Sequence, residues 1–437
     1  MVAHPRGARS QSKMRKTWLV ACVAGIVVAG STVLLGGRAG ASPPAVSAPP
    51  AKLVTITIPS DGLIASKWLS YPGPPRANVL LPAGYDPQHR YPVLFLLNGL
   101  GTDYSWFAQW GFTAELEQLH FPGIVVMPEG GSGWYANWWN NGERGNPSWE
   151  TYELDKVLPA ILHRYRILPQ RRYHAIAGVS MGGLGAAYLG GRLPGFFGSV
   201  ASLSGFVDPQ FDCEGVGAAA VCLSATPDVT AAAMGATSEA PLNGDDDPDP
   251  VLGPPRGFYT TGHNPAALAM NLQQTRVFVS TGNGLPSRAD LADPTALTAE
   301  APADYAAEGG VIYPMSQRYA QALEHAGVDV TYQVHNGGHL IPDFLAEVKA
   351  MVAWGVFKSL PHDRTSWVND TVATRGHLWD IHYRFATPPT AVVQFRQSGG
   401  TLSVSTAGSA VTITTSAGCT IHTATPATVS LPGRPCK

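Results

Sequence analysis

The string Gly178-Val179-Ser180-Met181-Gly182 follows an apolar run, Tyr173–Ala177, and opens a stretch rich in Ala, Gly and Leu. A strand before and a helix after turn a common G-x-S-x-G string into a nucleophile elbow, a turn so tight that a Cβ at Gly178 or Gly182 would strike the neighbouring strand or helix. The helix N-terminus under Ser180 favours developing negative charge. A serine hydroxyl needs a base to take its proton. The candidate is His339, at the end of His335-Asn336-Gly337-Gly338-His339, just after the run Val328–Val334. His335, at the strand's end, is expected to pack or bond locally. The pair His335-x-x-x-His339 lacks the Glu of a zincin helix, so no metal is implied. The acid that orients the base should follow the run Thr275–Ser280, where Asp290, Asp293, Asp304 and Glu308 stand; spacing does not choose among them. Oxyanion donors are expected from the backbone N–H of Met181 and from that of Leu100, in Asn98-Gly99-Leu100-Gly101, provided Gly99 takes a conformation other residues avoid. Asn98, Trp106, Trp134 and Trp138 are candidate substrate contacts, and with Phe107, Trp110 and Trp139 the tryptophans are candidates to line a lipid or sugar cleft. Neither a Walker nor a dinucleotide fingerprint follows a strand, so no cofactor is expected.

Short apolar runs must position these groups. Val54–Ile58, Arg76–Pro82, Tyr91–Leu97, Gly123–Met127, Tyr173–Ala177, Val200–Leu203, Thr275–Ser280 and Val328–Val334 read as strands, several apolar on both faces. Thr113–Leu119, Glu150–Tyr165, Met315–His325 and Ile341–Phe357 read as helices between them. The alternation implies right-handed βαβ units and a mostly parallel sheet. The segment Phe206–Asn264 breaks the rhythm and is expected to form a lid or flank over the carboxyl edge of the sheet. Its acidic run Asp245-Asp246-Asp247-Pro248-Asp249 lacks the Gly and terminal Glu of an EF-hand and reads as a solvated loop. After about Leu360 the helices stop. His377–Phe385 alternates, with Trp379, Ile381, Tyr383 and Phe385 on one face. Val392–Arg396, Leu402–Thr406 and Val411–Thr415 follow at regular spacing, as in a small antiparallel β-domain. That tail either binds a cell-wall polymer or packs against the catalytic part.

The 437 residues include 29 Lys+Arg and 31 Asp+Glu, a formal charge of −2 with no basic stripe, which argues against nucleic acid as partner. At the N-terminus, His4, Arg6, Arg9, Lys13, Arg15 and Lys16 precede the apolar run Trp18–Leu35 and the small-x-small site Ala39-Gly40-Ala41. Residues 1–41 therefore read as a secretory signal peptide, with an uncleaved anchor as the competing reading. Leu19-Val20-Ala21-Cys22 resembles a lipoprotein box, but the apolar run continues past Cys22 and lipidation is not expected. Residues 42–52 read as a Pro/Ala linker, 53–360 as the catalytic domain and 361–437 as the β-rich domain. Export leaves Cys213, Cys222, Cys419 and Cys436; proximity favours Cys213–Cys222 and Cys419–Cys436 among three possible pairings.

Several blocks between about Leu53 and Leu360 together resemble the antigen 85 mycolyltransferases and the wider esterase D family. They are Phe95-Leu96-Leu97-Asn98-Gly99-Leu100, Met127-Pro128-Glu129-Gly130-Gly131 leading to Trp134-Tyr135 and Trp138, and Trp149-Glu150-Thr151. Ser180-Met181, Leu203-Ser204-Gly205 with Asp208-Pro209, and Thr281-Gly282-Asn283-Gly284 with Pro286-Ser287 complete the set. The resemblance implies an α/β-hydrolase fold and a glutamate acid some thirty residues before the histidine, which selects Glu308, with Asp290 in reserve. The family's Asp and Arg that grip trehalose correspond to Asn98 and Gly101 here, so that charged grip is missing. The expectation is a secreted or cell-envelope serine esterase or acyltransferase acting on an acyl-ester or glycolipid substrate, with Ser180, His339 and Glu308 as its triad. A trehalose mycolyltransferase proper, and a non-catalytic wall-binding protein on a hydrolase scaffold, remain the alternatives.

Overall fold

The computed structural model describes residues 49–139, 147–211, 251–254, 256–292, 301–358, 360–432 and 436. The signal peptide, the pair Cys213–Cys222, the acidic run at 245–249 and Asp293 lie outside them. An eight-stranded sheet is built from β1 (Lys52–Thr57), β2 (Arg76–Leu81), β3 (Val93–Leu97), β4 (Ile124–Pro128), β5 (His174–Val179), β6 (Ser199–Leu203), β7 (Arg276–Gly282) and β8 (Asp329–His335). Its order is β1-β2-β4-β3-β5-β6-β7-β8. β1–β2 and β2–β4 pair antiparallel and every other pair is parallel. β1 starts at Lys52, so the expected linker is shorter at its end than the Pro/Ala composition implied.

The central strands are apolar on both faces because both are covered. Val93, Phe95 and Leu97 of β3 join one buried cluster, while Leu94 and Leu96 join another. The second cluster packs on α1 (Trp106–Gln109), α2 (Phe112–Gln118) and the C-terminal helix described below. The run expected as one helix over 150–165 is α3 (Trp149–Tyr152), a π-turn (Glu153–Val157) and α4 (Leu158–Arg164). α5 (Met181–Arg192), the helix that opens at the elbow, is buried along its whole length. Further along lie α6 (Phe258–Thr261), α7 (Arg288–Ala292), α8 (Ala301–Ala307), a second π-turn (Glu308–Ile312), α9 (Tyr313–His325) and α10 (Ile341–Trp354).

The tail forms a small separate β-domain of two four-stranded antiparallel sheets. Its strands are β9 (Ser366–Thr371), β10 (Arg375–Leu378), β11 (Ile381–Phe385), β12 (Val393–Ser398), β13 (Thr401–Val404), β14 (Val411–Thr415), β15 (Thr420–Thr423) and β16 (Ala427–Ser430). The sheets are ordered β10-β11-β14-β15 and β16-β13-β12-β9 around a core that includes Leu378, Tyr383, Phe385, Phe395 and Ile413. The single strand expected over 377–385 is a hairpin. Trp379 takes a positive φ of 52° at the turn, which breaks the alternation. β9, β15 and β16 were not legible, being short and largely polar. Cys419 and Cys436 form a disulfide.

The two domains are joined through the far end of α5. Arg192 is buried, donates from Nε to Glu150 Oε1 at 2.7 Å, and reaches the β-domain at the Arg375 carbonyl (3.0 Å) and the Tyr383 hydroxyl (3.3 Å). Asn369 Nδ2 donates to the Gly191 carbonyl at 2.8 Å, and Asn271 exchanges two bonds with the Asp370 backbone. Removing one partner of a buried ion pair leaves the other charge uncompensated, at a cost of about 3–5 kcal/mol. Arg192→Ala is therefore expected to lower unfolding free energy by that amount in a urea titration at neutral pH; a loss indistinguishable from zero would mean the pair is not closed in solution.

Candidate active site

At the elbow, Ser180 has φ 57° and ψ −120°, a region that a serine enters only when its surroundings impose it. The imposition is steric. A Cβ on Gly178 would lie 2.1 Å from the Gly182 carbonyl oxygen, and one on Gly182 would lie 2.1 Å from the carbonyl oxygen of Leu97. Strand β5, helix α5 and strand β3 thus touch backbone to backbone, and Ser180 is turned out at the carboxyl end of the sheet.

His339 Nε2 lies 2.9 Å from Ser180 Oγ, and its Nδ1 lies 2.7 Å from Glu308 Oε2. The carboxylate fixes the tautomer: Nδ1–H donates to Glu308 and Nε2 is left to accept the serine proton. Glu308 is fully buried at the first position of the second π-turn, a local widening of the helix that turns its side chain under the imidazole. Its other oxygen, Oε1, accepts from Ser204 Oγ (2.7 Å), Thr281 Oγ1 (2.7 Å) and the Gly282 N–H (2.8 Å). Three donors on one oxygen compensate a buried charge that would otherwise be prohibitive. Burial alone would lower the His339 pKa, but the bond and charge of Glu308, with Glu347 and Asp304 adding to them, leave it raised above the usual imidazole value.

The other acid candidates have different partners. Asp290 accepts from the Ser287 N–H, and the Asp304 carbonyl accepts from the His339 N–H. Met181 is the first residue of α5, where backbone N–H groups have no partner within the helix. Leu100 is half-buried in the loop after β3. The positive φ expected at Gly99 falls instead on Gly101 (71°); a Cβ on Gly99 would stand 3.6 Å from that of Ser180.

Two of the residues expected to meet substrate are engaged elsewhere. Asn98 is buried. Its amide donates to the Gly99 and Thr102 carbonyls and to Thr102 Oγ1, and its Oδ1 accepts from the Gly130 N–H and the Tyr135 hydroxyl. Every polar position on it is in use, so it shapes the loop rather than facing a ligand. Trp138 is buried against Trp68 and donates to the Gly133 carbonyl. Trp134, at φ 55°, packs on Phe206, whose N–H donates to the Ser180 carbonyl. Trp106 packs on Phe344, and the Phe344 ring meets the His339 imidazole edge-on at 4.9 Å.

A second acid–imidazole pair stands behind the first. Glu347 on α10 is buried, 3.1 Å from Ser204 Oγ and 3.1 Å from His335 Nε2. His335 thus bonds beyond its neighbourhood as well as to the Asn336 carbonyl. Burial raises the Glu347 pKa to about 7, with Glu308 adding to it and His335 and Ser204 holding it back. Burial opposes the charge on His335, but the bond and charge of Glu347, with Asn336 and Asp343, push it up to about 9. The sequence carried a signal for Glu347: it interrupts the apolar stripe Phe344, Val348, Met351 at helical spacing. Ser204 and Thr281 lie in two of the blocks that resemble the family, and nothing in those blocks marked them as partners of the acid.

The strand order and the elbow define an α/β-hydrolase. Residues 70–354 match the family model described as "Putative esterase", and the chain belongs to that esterase family. Esterase Rv1288 of Mycobacterium tuberculosis H37Rv is 40% identical over 134 residues, 30% of this chain and 29% of that protein. The diacylglycerol acyltransferase/mycolyltransferase Ag85C of Mycobacterium leprae is 35% identical over 128 residues, 27% of this chain and 37% of that one. The chain thus matches well under half the length of either relative. Among solved structures, Mycobacterium tuberculosis MPT51 (FbpC1) aligns over 70% of this chain and 98% of its own, at 18% identity and a TM-score of 0.49. Among the described residues no helix is long and apolar enough to cross a membrane.

A histidine whose folded pKa is raised stabilises the fold fully below its unfolded value near 6.5, and that contribution is lost as pH climbs through the folded value. For His335 the window is about pH 6.5 to 9. Thermal stability is expected to decline across it, and His335→Asn to make the decline shallower. An unchanged slope in the variant would show that His335 is not paired with Glu347 in solution.

Proposed function

We propose that this chain is a secreted serine esterase or acyltransferase that works through an acyl-Ser180 intermediate on acyl esters of cell-envelope lipids or glycolipids. The contact that carries the reading is the 2.9 Å approach of His339 Nε2 to Ser180 Oγ, with Glu308 behind the ring. His339 takes the Ser180 proton as Oγ attacks the acyl carbonyl carbon. The amide of Met181 meets the resulting oxyanion, contributing on the order of 3 kcal/mol, and the second donor is assigned to Leu100 with the left-handed turn at Gly101 and not at Gly99. The C–O bond to the leaving alkoxide breaks as His339 returns the proton to it. Water or an acceptor hydroxyl then gives its proton to His339 and attacks the acyl-enzyme, which yields hydrolysis or transfer.

The substrate class is supported by the relative named as a diacylglycerol acyltransferase/mycolyltransferase and by the partly buried Trp106 against Phe344, whose ring meets the His339 imidazole. Asn98 is not proposed as a sugar contact, and Trp138 is not proposed as a substrate contact. Secretion rests on residues 1–41 read as a signal peptide, followed by a hydrolase domain at 53–360 and a β-domain at 361–437.

With a p-nitrophenyl ester, Ser180→Ala is expected to lower kcat by about 10⁶-fold, and a fluorophosphonate probe to label the wild type but not the variant. A wall-binding protein without catalysis would leave the folded wild type unlabelled. The base acts only when neutral, so kcat/KM is expected to rise with pH through a midpoint above the ordinary histidine value. Glu308→Gln should move that midpoint down and reduce kcat by about 10³–10⁴-fold; a midpoint that does not move would remove Glu308 from its role.

A further inference from the structure

The β-domain sheet ordered β10-β11-β14-β15 has one apolar face in its own core and one face turned outward. The antiparallel register lines up the outward side chains in two rows across the four strands. Arg375 stands opposite Arg384, Arg384 opposite Thr412, and Thr412 opposite His422. In the next row His377 stands opposite His382, His382 opposite Thr414, and Thr414 opposite Thr420. These four strands contain no Asp or Glu.

Like charges directly opposite each other across an antiparallel pair are destabilising. Here arginine faces arginine, and two imidazoles stack with centroids 4.0 Å apart. Arg375 is drawn to Asp155 of the hydrolase domain. Arg384 is exposed and has no hydrogen-bond or ion-pair partner among the described residues. Asp155 balances Arg375, and burial beside His382 lowers the His377 pKa, so Arg384 is the cation of this face left without a counterion among the described residues.

The same face borders a cleft of about 1240 Å³ between the two domains, which none of Ser180, Glu308 and His339 lines. Arg375, His377, His382, Arg384 and Thr412 form part of one wall. The other wall carries Leu154, Leu158, Tyr259 and Trp139, which is 39% exposed, and its two carboxylates, Glu150 and Asp155, are already paired with Arg192 and Arg375. An occupant must therefore present oxyanions on one side and apolar surface on the other. It must also be extended, because the cleft wall crosses three of the strands, β10, β11 and β14, at about 4.8 Å per strand. Sugar rings have apolar faces, and acidic glycans carry anions among hydroxyls that Thr412 and Thr414 can meet.

We propose that this cleft binds an acidic glycan, a polysaccharide bearing carboxylate or sulfate groups, with Arg384 and the His377–His382 pair as its main anion contacts. Nucleic acid is the less favoured polyanion, because the chain as a whole is slightly negative and the opposite wall is apolar.

The test is affinity electrophoresis of the full chain through gels containing dextran sulfate, polygalacturonate, neutral dextran or poly-thymidylate at low salt. Retardation is expected with one or both charged glycans and not with dextran, and should disappear in high salt. The double variant Arg384→Ala, His382→Ala changes exposed side chains, so it should keep the wild-type melting transition while binding about tenfold more weakly. The proposal is overturned by binding to neither charged glycan, by equal retardation in dextran, by equal or tighter binding to poly-thymidylate, or by a double variant that binds as wild type. The readout is binding and not turnover, so its failure is separate from failure of the hydrolytic reading.

Discussion

The backbone contact of β5, α5 and β3 at Gly178 and Gly182 is the constraint from which the active-site geometry follows. At those two points the chain has no room for a methyl group, and the resulting turn holds Ser180 in a strained conformation. Held there, its hydroxyl clears the sheet and its neighbour Met181 offers an amide at a helix start. The strain is sustained because α5 is buried along its length, with β5 and β6 beneath it and the β-domain at its far end. A loosened helix would relax the turn and lower the serine back towards the strand.

The second requirement is a buried negative charge directly under the imidazole. Glu308 meets it through a division of labour between its oxygens. One takes the His339 N–H, and the other takes three donors from the ends of β6 and β7. Ser204, at a φ of 42°, is itself in a strained conformation and touches both Glu308 and Glu347. Two carboxylates sharing one hydroxyl in a buried space cannot both be charged without a nearby cation or proton. His335 supplies it, so the two acid–imidazole pairs are linked through a single serine.

The β-domain has two faces with different physics. Towards the hydrolase domain it supplies ordinary structural contacts, a carbonyl and a hydroxyl for Arg192 and an amide for Gly191. The sheet face that borders the cleft sets Arg375 against Arg384; Asp155 of the hydrolase domain balances the first, and no described residue balances the second. Packing against the catalytic part and binding a ligand are thus compatible roles for the tail, because they use different groups of the same sheets.

The sequence by itself determined whatever depends on near neighbours. Apolar runs on both faces specified the central strands, and two glycines around Ser180 specified the elbow, since the clash they avoid lies within a few residues. A Gly-Gly loop after the last strand of the sheet identified His339. Tertiary structure decided the rest. Glu308 was separated from Asp290 and Asp304 only by resemblance, because an acid is defined by the ring it reaches. Asn98 and Trp138 were read as substrate contacts because residue type says nothing about whether a polar group is already satisfied. His335 and Glu347 meet across the β8–α10 packing, and Arg375 and Arg384 meet across a hairpin whose register is set by its turn. In each case the deciding quantity is a distance between side chains on different elements, which no local pattern encodes.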